Sequence, residues 1–143
     1  MAGLGAQRFR RYRGSPWIER GISDYRGIGA VLGLAFYLTL KAEALHLAAR
    51  TSEALEVISE GETLAERFEH RNVFSRLHRL RAVLLSAMGV DNTQIEASFQ
   101  KAIRIAEEQK AVSLVRRAEA TYAEYHLLSA NAPRGHGIQL PLW

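Results

Sequence analysis

Glu43 and His46 are the first residues in this chain whose types and spacing could do chemistry. They form a Glu-x-x-His pair on one face of a helix, the spacing used in carboxylate-bridged di-iron bundles. Such a centre needs two of these pairs and two more carboxylates, and the chain supplies one pair. His70, His78 and His126 fall on three different helices or their ends, too scattered for a metal site. The chain has no cysteine, which excludes disulfides, zinc fingers, iron–sulfur clusters and thiol nucleophiles together. Gly27-Ile-Gly29 lacks the third glycine and the following Lys-Ser or Lys-Thr of a phosphate loop. Neither a Gly-x-Ser-x-Gly elbow nor a His-Glu-x-x-His pair occurs. The expectation is a protein without catalytic residues, metal or cofactor.

The remaining chemistry is cationic. The formal charge is +4 over 143 residues, and most of it sits at one end. Met1 to Gly29 holds six arginines against Glu19 and Asp24, whereas Ala30 to Ala130 carries 12 basic and 13 acidic residues. The cluster Arg8-Phe9-Arg10-Arg11-Tyr12-Arg13 could meet phosphates through its guanidinium groups and bases through its rings. No nucleic-acid-binding motif accompanies it, so residues 1–15 read as an Arg-rich flexible leader. A nucleic-acid-binding accessory protein is the alternative function. Gly27 to Leu40 is an uncharged run of 14 residues, shorter than the roughly 20 that span a bilayer. Its long leading segment and the charges of Lys41 and Glu43 fit an export signal poorly. It reads as a buried helix in a cytoplasmic protein with no membrane partner.

The elements that must position these residues are helical. Trp17 to Ala132 contains no proline and is rich in Ala, Leu, Glu and Arg. Pro16 suits the first turn of a helix over about 17–27. Further helices are expected over about 30–49, 53–69 behind a Thr51 cap, and 73–88 stopped by Gly89. Two more follow, one after Asp91 to about 109, with Gln94 completing a capping box, and one over 111–130. The expected organisation is one helical domain over 16–130 and an irregular tail over 131–143.

Self-similarity organises these helices. Ala42, Ala82 and Ala123 are separated by 40 and 41 positions, and so are Gly21, Gly61 and Ala102. Leu34, Phe74 and Val115 precede the first set by eight, and Ile18, Ile58 and Phe99 precede the second by three. A small residue where two helices cross permits close approach, and the bulky neighbour fills the adjoining groove. A fixed period lets each helix pair bury its face on the next, which describes an α-solenoid of about six helices.

Ile95-Glu-Ala-Ser-Phe99-Gln-Lys-Ala102 followed by Ile-Arg-Ile-Ala106 resembles the second helix of a tetratricopeptide repeat. Leu77-His-Arg-Leu-Arg-Ala82-Val-Leu-Leu-Ser-Ala-Met-Gly89 resembles a first helix. With a period near 40, the chain is similar to the C-terminal repeats of large bacterial signalling proteins. In those a nucleotidyl cyclase or DNA-binding domain precedes an ATPase module. The resemblance covers about Trp17 to Ala130 and implies a right-handed α-α superhelix. It implies a protein-interaction or regulatory module whose first helices line a groove. Carried over position by position, that groove would hold Phe36, Thr39, Glu43 and His46, then Arg76, Arg79 and Val83, then Arg117, Ala120 and Glu124. Three arginines on adjacent helices suit the carboxylates of an acidic peptide or a phosphate. Tyr122, Tyr125 and Leu128 on the last helix would need cover, either from Ile138–Trp143 folding back or from a second copy in a homodimer.

Overall fold

The computed structural model describes residues 15–28, 31–67, 73–132 and 137–142. Among these the chain is all-α, with six helices and no strand. They are α1 (Pro16–Ile28), α2 (Val31–Leu47), α3 (Thr51–Arg67), α4 (Phe74–Met88), α5 (Asn92–Glu108) and α6 (Val112–Ser129). No helix among the described residues is long and apolar enough to cross a membrane. The Arg8–Arg13 cluster and His70 lie outside the described residues. The chain divides into two compact units, residues 1–70 and 71–143.

In the first unit α1 and α3 both pack against α2. Pro16 opens α1 as its ring geometry favours, with the Ser15 carbonyl accepting from the N–H groups of Ile18 and Glu19. Ile18 and Ile22 of α1 meet Leu34 and Leu38 of α2, and Val57 and Leu64 of α3 pack on the same cluster. Gly21 is buried at this crossing. A β-carbon there would come within 2.5 Å of the Tyr37 ring, so the small residue fixes how closely the helices approach. Ala42 and Gly61 are buried too.

The second unit is built on α4, which packs against α5 and α6. Ten of its residues between Ser75 and Ser86 are buried, including His78 and Arg79. Ala82 and Ala102 are fully buried, and the Ser75 hydroxyl donates to the Ala102 carbonyl at 2.9 Å. Phe99 of α5 is enclosed, with Tyr122 and Tyr125 of α6 at ring-centroid distances of 5.1 and 5.7 Å. Ala123 departs from its set and is exposed, because no helix among the described residues follows α6 to cross over it.

Three of the inter-helix turns share one device. After α2, α4 and α5 the chain passes through a left-handed residue, Ala49 (φ 63°), Gly89 (φ 67°) and Lys110 (φ 55°). The N–H after each reaches back five residues: Arg50 to Leu45, Val90 to Leu85, Ala111 to Ala106. This is the Schellman closure, which satisfies carbonyls that the helix end leaves without donors. Asp91 caps α5 as expected, but its carboxylate accepts from the Thr93 N–H at 3.1 Å. Thr51 is the first residue of α3 rather than its cap.

Candidate functional site

The best-defined binding geometry in the molecule lies along α4, and its occupant is the chain itself. Arg79 is 2% exposed, and its Nη2 donates to the Leu142 carbonyl at 2.7 Å. Two turns later, Ser86 lies in the last turn of α4, where carbonyls lack helical donors. The Gly89 turn sends the Val90 N–H to Leu85, leaving the Ser86 carbonyl to accept from Gly89 at 3.1 Å and from the Ile138 N–H at 2.8 Å. The Ser86 hydroxyl donates to the Ile138 carbonyl at 2.9 Å. One serine therefore satisfies both backbone groups of one residue in the segment. Gly137 is seated so that a β-carbon would lie 2.1 Å from the Ala87 carbonyl oxygen, a position closed to any other residue.

The segment over 137–142 is extended. Gln139 is exposed, Leu140 and Leu142 are buried, and Ile138 and Pro141 lie between. Burial at every second residue is the pattern of an extended chain lying on an apolar surface. Seven helical residues from Arg79 to Ser86 rise about 10 Å, and four extended residues from Ile138 to Leu142 span about 13 Å. The lengths match, and the segment runs antiparallel to α4. Residues 137–142 thus carry no regular secondary structure and are anchored to α4 by hydrogen bonds.

The three α6 residues expected to need cover differ in their surroundings. Tyr125 is already buried within its own unit, and its hydroxyl donates to Asn92 Oδ1 at 2.7 Å. Tyr122 stacks on Phe99. These rings face α5, so they need no lid, whereas Leu127 and Leu128 stay exposed. The hydrogen bonds of the tail run to α4.

The groove residues named from the resemblance fall into separate groups. On α2, Phe36 is exposed and edge-on to Tyr37, with ring centroids 5.7 Å apart. Thr39 is buried and its hydroxyl donates to the Phe36 carbonyl of the same helix. His46 Nδ1 lies 3.0 Å from the Thr51 hydroxyl, and burial lowers its pKa below the usual histidine value. Glu43 is half-buried on the same helix. Among the described residues no three or more histidine, aspartate or glutamate side chains gather where a metal could be held.

In the second unit Arg76 is half-buried, Val83 is fully buried, and Arg117, Ala120 and Glu124 of α6 are exposed. Of the three arginines expected to hold an acidic partner, Arg79 donates to the Leu142 carbonyl. Ser86, Ala87 and Gly137 were not anticipated. The one signal for them is the alternation of Ile138, Leu140 and Leu142. A shallow depression at the α5–α6 turn, lined by Glu107, Lys110, Val112, Val115, Arg116 and Glu119, includes none of the expected residues.

No family model matches the chain, and no solved structure matches it. An uncharacterized protein of Rhizobium meliloti (strain 1021) is 35% identical over 111 residues, or 78% of this chain. The chain spans 11% of the length of that relative.

Proposed function

We propose that this chain is a non-catalytic protein-interaction or regulatory module of the tetratricopeptide-like class. It would hold a partner segment along the faces of its first helices, α2, α4 and α6. One observation carries the reading: a first-helix face, that of α4, holds an extended peptide segment through Ser86 and Arg79. The small residues buried at helix crossings and the repeated Schellman turns agree with a right-handed solenoid of period near 40. The similarity to a short stretch of a much longer Rhizobium protein agrees with a module of a bacterial signalling protein. A cytoplasmic setting and an acidic partner belong to the same proposal, the latter through Arg76 and Arg117.

Selection of a displayed dodecapeptide library on the immobilised full chain tests this reading. An enriched consensus is expected, with binding at least tenfold weaker to Phe36→Ala, Glu43→Lys or Arg117→Glu chains of unchanged helix content. A library that yields no consensus overturns the reading, as does a consensus indifferent to all three substitutions.

A further inference from the structure

We infer that the α4 face carrying Arg79, Ser86 and Ala87 is a receptor for an extended peptide with a leading glycine and apolar side chains at alternate positions. Residues 137–142 of this chain occupy it as an internal competitor. The inference rests on the interaction-module reading and names the ligand class of one face.

Recognition at this face is mostly of backbone. Ser86 takes the N–H and the carbonyl of Ile138, and Arg79 takes the carbonyl of Leu142. Any extended peptide presents the same groups at the same spacing, so these contacts fix register without demanding a sequence. Side-chain demands come from two places. The Ala87 carbonyl excludes a β-carbon at the first position, and the side chains of Leu140 and Leu142 are buried. Pro141 stands between them at little loss of partners, since it has no N–H to satisfy. The ligand is therefore a peptide of the form Gly-apolar-x-apolar-Pro-apolar, or one close to it.

An intramolecular occupant is present at a high effective concentration, in the millimolar range for a short connection. A free peptide then binds with an apparent affinity reduced by the fraction of chains whose face is open. Only a partner tethered nearby, or one that also engages another helix face, displaces the tail efficiently. The segment acts as a gate on the receptor.

The probe is a fluorescein-labelled Gly-Ile-Gln-Leu-Pro-Leu peptide, followed by anisotropy against the full-length chain and its Gly137→Ala variant. Gly137→Ala leaves α4 untouched and drives the tail off the Ala87 carbonyl. Binding at least tenfold tighter to the variant is expected, and adding Arg79→Ala to it should weaken binding again by tenfold or more. Equal binding to both chains overturns the inference, as does no binding to a Gly137→Ala chain with unaltered circular dichroism. Should that variant lose its fold, hydrogen exchange on the unmodified chain decides. Excess unlabelled peptide should speed exchange at the Ile138 amide, and an unchanged rate overturns the inference. A concentration-dependent dimer in light scattering that Gly137→Ala abolishes would make a second copy the occupant, and that too overturns it. Failure here leaves the library selection free to succeed through α2 or α6, so the two readings fail separately.

Discussion

Helices α2 and α4 each pack against the helix that follows them, and they place their polar residues differently. A shift of 40 residues aligns Thr39 with Arg79, Ala42 with Ala82, His46 with Ser86 and Ala49 with Gly89. On α2 the polar residues of this face are satisfied at home. Thr39 donates to its own helix, and His46 meets Thr51 at the next helix start. On α4 the corresponding side chains are buried and reach a segment more than 50 residues away in sequence. Polarity runs opposite to burial here. Apolar α2 leaves Phe36 and Leu47 exposed, while α4, with three arginines and a histidine, is the more enclosed helix. In these two helices residue type does not by itself decide whether a face looks inward or outward.

The hardest way to break the comparison is through the two cores. Ile58 and Phe99 are 41 residues apart and both fully buried. Phe99→Ala should cost about 3–5 kcal/mol and Ile58→Ala about 2–5 kcal/mol, each with its cavity term. Urea unfolding followed by amide exchange should show each loss concentrated in its own unit. Uniform loss over both units would mean that they unfold as one.

A sharper test pairs Arg79→Ala with Thr39→Val. The first removes a buried charge-assisted bond, worth about 1.5–3 kcal/mol, and leaves the Leu142 carbonyl without that donor. The second removes only a bond within one helix, worth about 0.5–1.5 kcal/mol. Denaturant midpoints should separate the two; equal losses would mean that the tail contributes nothing to the second unit.

The turns offer gains. Ala49 and Lys110 hold left-handed backbone where a β-carbon costs about 1–2 kcal/mol, partly offset by the extra unfolded-state entropy of glycine. Ala49→Gly and Lys110→Gly should each raise stability by about 0.5–1 kcal/mol, whereas Gly89→Ala should lower it by a similar amount. Thermal midpoints moving in these opposite directions would confirm the shared closure.

The smallest effect concerns pH. His46 has a folded pKa below its unfolded value, so the unfolded chain binds more protons around pH 6.5. Stability of the first unit should fall as pH drops through that region, and His46→Gln should flatten the dependence. A slope unchanged in that variant would place the titration elsewhere.

Much of the scaffold was legible because helix formation is a local property. The segment limits agree within about two residues, since Pro16, Gly89 and Asp91 act on their immediate neighbours. Five of the six small residues spaced 40 and 41 apart are buried. The seat on α4 was not legible. It joins Arg79 to Leu142 across 63 residues, and nothing periodic links them. Ala49 and Lys110 hid their turns by lacking the glycine that marks Gly89. Arg79 lies on α4 and donates to the Leu142 carbonyl, and a guanidinium drawn toward a neutral carbonyl looks, in sequence, like one awaiting a carboxylate.

The order in which residues emerge during synthesis gives the α4 contacts a timetable. The partners of Ser86 and Arg79 follow them by 52 and 63 residues. At about 5–20 residues per second, that is an interval of roughly 3–13 s, long against the microseconds in which a helix forms. During each round of synthesis α4 therefore exists first with an uncovered Ser86 carbonyl and Arg79, and is closed only when 137–142 arrives. Every newly made chain passes through the open form once before it reaches the closed one.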